Sequence, residues 1–198
     1  MDLCVEEECI DRLFRKARSY NAWTDRPLAR EHLLQIYEVM KWGPTSTNGN
    51  PLRIVFACAP ESRALLATSM MGNNGAKVRA APVAAILGYD TRFYEHLPML
   101  FPHDTKWPQV LASNEKLVLE TAFRNSSLQA GYFIIAARAL GLDCGPMSGF
   151  DHAGVERDFF PDGRVKVNLV CALGHGDDSR DLWDRLPRLS AEDVCSFR

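Results

Sequence analysis

The sequence has no C-x-x-C pair among its six cysteines (Cys4, Cys9, Cys58, Cys144, Cys171, Cys195). That absence removes zinc-ligand spacing and a dense disulfide framework, and leaves buried thiols as the expected role. Neither sign of charge dominates: 23 Lys and Arg stand against 25 Asp and Glu, net −2, with no Lys/Arg block. A general nucleic-acid binder, which gathers basic charge on one face, is therefore not expected. The longest apolar runs, around Ala80–Gly88 and Tyr132–Ala137, fall short of the roughly 18 to 20 residues that cross a bilayer, so no membrane span is expected. Glu6, Glu7 and Glu8 stand where a secretory signal needs positive charge and then an apolar stretch, which points to the cytoplasm. Repeats, low-complexity stretches and Pro/Gly/Ser linkers are missing as well, and one domain over residues 1–198 is expected.

Several catalytic signatures are also missing. Gly174-His175-Gly176-Asp177-Asp178-Ser179 superficially resembles a dinucleotide-binding turn, but the third glycine is absent and too little chain follows for a βαβ unit. Gly145-Pro146-Met147-Ser148-Gly149 lacks the glycine two places before the serine that a hydrolase nucleophile elbow uses. The five histidines (His32, His96, His103, His152, His175) form no helical i, i+4 pair beside an acid, so no metal site is expected. His96 and His103 either flank a pocket or sit as solvated loop residues.

Helical spacing marks Cys4–Arg18 and Leu28–Met40, with Pro27 suited to the first turn of the second helix. Strands are expected at Arg53–Cys58, Val83–Tyr89 and Val165–Leu173, with a helix at Glu61–Thr68, a loop at Met70–Gly75 and a helix at Asp151–Phe160. The longest helix spans about Ser113–Leu140, is apolar on nearly every face in its second half, and ends at Gly141. The tail, Asp181–Arg198, carries Trp183, Leu186, Leu189, Val194 and Phe197 but little core of its own. It packs on a partner subunit or wraps its own domain. Helices and strands without regular βαβ alternation indicate an α+β fold.

What the chain does contain is a set of polar loops and separated cations suited to a flat, anionic organic cofactor. Arg18-Ser19-Tyr20-Asn21 follows the first helix, and Arg185 and Arg188 flank Pro187 near the end. Two cationic sites of this kind can neutralise a phosphate. The loop Gly43–Pro51 is built of small polar residues, Asn74 and Lys77 lie three apart, and Cys144–Phe150 offers a Gly/Pro-bearing backbone that can lie against a ring.

These segments together resemble the FMN-dependent nitroreductase family, from about Leu13 to Leu189. Arg18-Ser19-x-Asn21-x-Trp23 is similar to its opening R-S-x-R-x-F motif, with Asn21 in place of a basic residue. Pro44, Thr45, Ser46, Asn48, Asn50 and Pro51 resemble the P-S-x-x-N-x-Q-P loop, with Asn50 in place of Gln. Asn74-x-x-Lys77 matches N-x-x-K, and Leu140–Asp151 matches the segment packed on the flavin. A closer likeness is to the malonic semialdehyde reductases of pyrimidine degradation, carried by Met40–Ser46, Phe93–Glu95, Leu100–His103, Glu120–Ser127 and Arg185–Ser190.

The resemblance implies a nitroreductase-like three-layer sandwich, with a mainly antiparallel mixed sheet flanked by helices. It also implies a homodimer whose C-terminal segments exchange, with tightly bound FMN at each interface. Arg18, Ser19 and Arg185 or Arg188 would anchor the phosphate. Lys77 would sit near N1–C2=O with Asn74 at the pyrimidine edge, the backbone N–H of Ser148 or Gly149 would face ring nitrogen N5, and Asn21, Pro146 and Met147 would also bind the cofactor. The Pro44–Asn50 loop would reach the flavin of the neighbouring subunit. In the expected ping-pong reaction NAD(P)H delivers hydride to FMN and leaves, and a small-molecule acceptor follows, with no side chain as nucleophile. For malonic semialdehyde, Arg124, Tyr94, His96 and His103 are candidate contacts to carboxylate and alkoxide. Arg124 could equally pair with Glu120. A broad nitro or quinone reductase and a non-catalytic flavin-binding protein are the alternatives.

Overall fold

The computed structural model describes residues 5–198, so Cys4 lies outside the described residues. Four strands form one sheet: β1 (Leu52–Ala57), β2 (Val83–Asp90), β3 (Asp143–Met147) and β4 (Val165–Gly174). Their order is β1-β2-β4-β3, and every neighbouring pair is antiparallel. The mixed character expected of the sheet reduces to one isolated parallel bridge, between Ser19 and Cys144.

The helices are α1 (Glu7–Ile10), which runs into a π-helical turn at Asp11–Arg15, then α2 (Arg30–Met40), α3 (Pro60–Thr68) and α4 (Asn74–Ala80). A 3₁₀ turn at Phe93–His96 leads into α5 (Leu97–Leu100) and α6 (Trp107–Ala112); α7 (Glu115–Ala139), α8 (His152–Phe159) and α9 (Ala191–Val194) complete the set.

Strand β2 shows why the fold has three layers. Ala84 and Ile86 point to one face, where Leu66 of α3, Val78 of α4 and Val155 of α8 cover them. Val83, Ala85 and Leu87 point to the other, against Ile36 of α2 and Phe133 and Ala137 of α7. Successive strand residues face opposite sides, so a strand apolar at every position needs helices on both. Phe133 is fully buried, and truncating such a side chain costs about 3–5 kcal/mol.

Helix α7 begins where the Asn114 side chain accepts from Leu117 N–H at 3.0 Å. It ends as expected at Gly141, whose φ of +87° needs no Cβ, with Leu142 N–H returning to Ala137 O at 2.9 Å. A third cluster, Phe93, Leu97 and Leu111, packs on Val118 and Ala122 of α7 and seats the segment between β2 and α7. The start of that segment is pinned by Asp90, only 1% exposed. Arg164 grips Asp90 with two hydrogen bonds of 2.8 and 3.0 Å, Arg53 adds one of 2.6 Å, and Arg92 N–H adds another of 2.8 Å.

Several expectations need correction. The first helix stops at Arg15, because the chain must straighten for Ser19 to bridge to Cys144. Pro27 lies before α2, which starts at Arg30. Asn74 and Gly75, at the end of the stretch read as a loop, lie in the first turn of α4. Of the stretch Cys144–Phe150, read among the loops, Cys144–Met147 belongs to edge strand β3; an edge strand tolerates Pro146, which has no N–H to give a ladder. Of the cysteines read as buried, Cys144 and Cys171 are, but Cys9, Cys58 and Cys195 are exposed, lying on a one-turn helix, just past a strand end and in the tail. None of the described helices is long and apolar enough to cross a membrane.

The tail divides in two. Its first part returns to its own domain: Tyr20 donates to Asp178 at 2.6 Å, Arg180 donates to Trp23 O at 2.7 Å, and Asn21 donates to Asp181 O at 2.9 Å. The turn is organised by Asp177, whose carboxylate takes hydrogen bonds from Ser179 and Arg180 and is held down at about 2. Beyond it the apolar side chains face solvent, with Leu189 76% and Phe197 98% exposed. Wrapping of its own domain therefore ends before those residues.

Candidate functional site

Arg18, Ser19, Asn21, Lys77, Arg185 and Arg188 line one cleft of about 700 Å³, brought together from three stretches of chain. The bridge between Ser19 and β3, together with Tyr20 N–H donating to Cys144 O at 3.0 Å, fixes the floor. The tail forms the lip. Arg18 donates to Trp183 O, and Arg185 to Ala17 O at 3.0 Å. Arg138 of α7 also lines the cleft, with Nη1 donating to Leu13 O at 2.9 Å and Nε buried without a partner; the sequence had not marked it. Its only advance signal was an arginine at the C-terminal end of an apolar helix.

The electrostatics of the cleft are one-sided. Among the described residues no ion pair within 4.0 Å involves Arg18, Lys77, Arg138, Arg185 or Arg188, and Asp184 is the carboxylate on the wall. Cations that face one another without compensation raise the local potential for an anion. Arg18, Arg138 and Arg185 each donate to one backbone carbonyl and Arg188 Nη1 to two, Leu186 O and Pro187 O, which leaves further donors of each five-donor fork without a protein partner. Beside the cleft, burial and then the bond to Asp178 push the Tyr20 phenol far above its ordinary value, so it stays a neutral donor.

A second cleft of about 790 Å³ shares Asn21, Lys77 and Trp183 with the first and adds Asn74, Met71 and Arg180. Asn74 Nδ2 donates to Gly149 O at 3.1 Å, and Met71 N–H donates to the same oxygen at 3.0 Å. Asn74 is thereby held against the Gly149 turn, and it lines this cleft together with Lys77, three residues on along α4. Met147 is only 8% exposed and turns into the core beneath the sheet, while Pro146 and Ser148 lie outside both clefts.

The remaining candidates lie elsewhere. Pro44, Thr45, Ser46, Asn48 and Asn50 precede β1, the edge strand opposite β3, and line neither cleft. Three strand spacings separate the two edges, about 14 Å. Asn48 Nδ2 donates to Leu100 O at 2.9 Å, tying this loop to the segment that carries the aromatic candidates. There Tyr94 packs edge-on against Phe93 with centroids 6.2 Å apart, and His103 does so against Phe101 at 5.5 Å; His96 is exposed. Arg124 is exposed on α7, and Glu120 lies 3.9 Å from Lys116; among the described residues no ion pair within 4.0 Å joins Glu120 to Arg124, the alternative weighed for that arginine. The sequence-derived candidates thus fall into two groups at opposite edges of the sheet. Asn125 and Gln129, which hold the loop, were not read from the sequence, although they lie in or beside the word Glu120–Ser127.

The pattern of the Nitroreductase family matches residues 14–175. The chain is 48% identical over 192 residues to a protein of Cupriavidus pinatubonensis named "Putative NADH dehydrogenase/NAD(P)H nitroreductase", covering 96% of this chain and 97% of that one. It is likewise 48% identical over 195 residues to a protein of the same name from Rhodopseudomonas palustris, covering 98% of each. Among solved structures, a "putative nitroreductase in complex with FMN" from Exiguobacterium sibiricum superposes with a TM-score of 0.81 at 19% identity, over 100% of this chain and 99% of that one. With a fold of this kind and relatives this similar along their whole length, the chain belongs to the nitroreductase family.

Proposed function

We propose that the chain is an FMN-dependent NAD(P)H oxidoreductase that acts as a homodimer and reduces malonic semialdehyde to 3-hydroxypropionate. The observation that carries the cofactor reading is the cationic cleft, where five unpaired basic residues meet one carboxylate. A ribityl phosphate, close to a dianion at neutral pH, fits that donor set. A solved relative holds FMN, and another from Staphylococcus epidermidis is described as an "NAD(P)H:FMN oxidoreductase", which supports the same reading.

In this reading Arg18, Ser19, Arg185 and Arg188 hold the phosphate, and Arg138 lends charge from behind. Lys77 places a cation, and Asn74 an amide, at the pyrimidine edge; Asn21 closes the side. Ser148 or Gly149 offers a backbone N–H to the ring. The chemistry FMN supplies when bound is acceptance of hydride from NAD(P)H and its delivery to the acceptor. The protein's own task is to bind, orient and exclude water. Since the Pro44–Asn50 loop lies at the opposite sheet edge, its contact with the cofactor is made by a second copy. Exposed Leu34 and Tyr37 on α2, Phe123 and Leu128 on α7, and the apolar tail supply the surface for that contact.

The substrate reading rests on the sequence words shared with malonic semialdehyde reductases and on Arg124, an exposed guanidinium with no ion pair among the described residues, available to the substrate carboxylate. Tyr94 and His103 are the candidate proton donors to the alkoxide as hydride reaches the aldehyde carbon. A broader nitro or quinone reductase is the second reading, favoured by the names of the bacterial relatives. The test is the visible spectrum and solution mass of the purified protein, followed by NADH and NADPH oxidation with malonic semialdehyde or a nitrofuran. A yellow dimer turning over only the aldehyde is expected. Preference for the nitrofuran favours the second reading, and colourless monomeric protein that refuses micromolar FMN overturns both.

A further inference from the structure

The loop before β1 has an unusual backbone. Thr47 and Asn48 both have φ of 52°, and Asn50 has φ of 43°, so three non-glycine residues within four positions occupy the left-handed region. Asparagine tolerates that region, whereas a β-branched threonine is an outlier there. Such a conformation persists only where its surroundings over-determine it. The loop's own backbone bonds, Asn48 N–H to Thr45 O and Gly49 N–H to Ser46 O, both 3.0 Å, close one turn, and Asn50 N–H reaches Thr45 Oγ1 at 3.3 Å; the N–H groups of Ser46 and Leu52 find no partner within the loop.

Helix α7 holds the ends. Ser46 N–H donates to Asn125 Oδ1 at 2.8 Å, and Leu52 N–H donates to Gln129 Oε1 at 3.0 Å. Asn125 and Gln129 stand four residues apart, on one helix face, and are 5% and 4% exposed. The other end of each amide is also used: Asn125 Nδ2 donates to Thr121 O at 2.8 Å, and Gln129 Nε2 to Asn50 Oδ1 at 3.2 Å. Asn50 Nδ2 in turn donates to Asn48 O and Oδ1 at 2.7 and 2.9 Å. These partners fix which end of each amide faces which neighbour and leave neither helix residue exposed toward a ligand.

We propose that Asn125 and Gln129 are positioning residues: by clamping both ends of the Pro44–Asn50 loop they set the shape in which it meets the FMN of a second copy. The inference deepens the flavin reading above and rests on it. The two amides touch no cofactor; their effect passes through the loop backbone. Removing one acceptor strands a buried N–H and frees the loop to leave its strained conformation.

The test compares the purified full-length protein with Gln129→Met, which keeps the volume but makes neither bond, and Gln129→Glu, which keeps the acceptor for Leu52 N–H. Asn168→Leu is the control, because Asn168 bonds Ser126 and Ser127 of the same helix at 2.8 and 3.0 Å and not the loop. FMN affinity is read by fluorescence quenching, alongside the visible flavin band and Tm. We expect Gln129→Met to raise the FMN Kd about tenfold and to shift the band, Gln129→Glu to recover most of the affinity, and Asn168→Leu to lower Tm with Kd changed by less than about twofold. Should Gln129→Met not fold, Asn125→Ser carries the same comparison. Wild-type affinity and spectrum in Gln129→Met, or an equal loss in Asn168→Leu, overturns the positioning role and leaves the flavin reading intact. Wild-type protein that takes up no FMN overturns both.

Discussion

Replacing Asp90 with asparagine keeps the side chain's shape and removes its charge. The carboxylate is 1% exposed and accepts three charge-assisted bonds, from Arg164 at 2.8 and 3.0 Å and from Arg53 at 2.6 Å, as well as Arg92 N–H at 2.8 Å. Removing one partner of a buried ion pair costs about 3–5 kcal/mol, mostly through the charge left behind. Here the lower end applies. Arg164 retains Glu95 at 2.9 Å, and Arg53, a third exposed, retains the carbonyls of Asn50 and Leu52. A loss of about 3 kcal/mol lowers Tm by about 6–12 °C in a chain of this size. Burial by itself raises the Asp90 carboxyl, but the bonds from Arg164 and Arg92 N–H and the charge of Arg53 outweigh it and hold the group below its ordinary value. A depressed carboxyl contributes stability above the unfolded-state value, near pH 4, and loses it as pH falls through the folded-state value. Urea unfolding of wild type and Asp90→Asn should therefore differ by about 3 kcal/mol at pH 7 and converge in acid. A difference under about 1 kcal/mol, or one that stays constant with pH, refutes the reasoning.

Two further outcomes are expected. Arg18→Ala should weaken FMN at least tenfold, since a charged hydrogen bond is worth about 1.5–3 kcal/mol, and should leave riboflavin, which lacks the phosphate, nearly unaffected. Calorimetry at low and high salt checks this, and equal losses for the two flavins would show that Arg18 does not read the phosphate. Gly43→Ala places a Cβ 2.3 Å from Tyr132 Cδ2 and should cost about 1–3 kcal/mol in urea unfolding, an effect that Tyr132→Leu in the same chain should relieve.

Local pattern alone was enough to locate three strands, because β-branched and aromatic runs such as Arg53–Cys58 and Val165–Leu173 have no helical period to compete with. The long helix was legible from the length of its apolar run and from the glycine that ends it. The cations and amides of the two adjoining clefts, Arg18, Lys77, Asn74, Arg185 and Arg188, were visible as residue types at motif spacing. Their convergence was not. It depends on β3, an edge strand with a proline that the pattern reads as loop, and on the tail turning back at Asp177, an arrangement of hydrogen bonds between residues about 160 apart. The buried amides of α7 escaped for a related reason: in an apolar helix a polar residue shows its purpose only once the backbone it satisfies is placed beside it. Sequence thus determined which groups this protein carries and the elements that bear them, because those follow from neighbours along the chain. Tertiary structure alone decided which groups meet, placing the basic cleft at one edge of the sheet and the strained loop at the other, because strand order is set by how the two faces are covered and not by spacing along the chain.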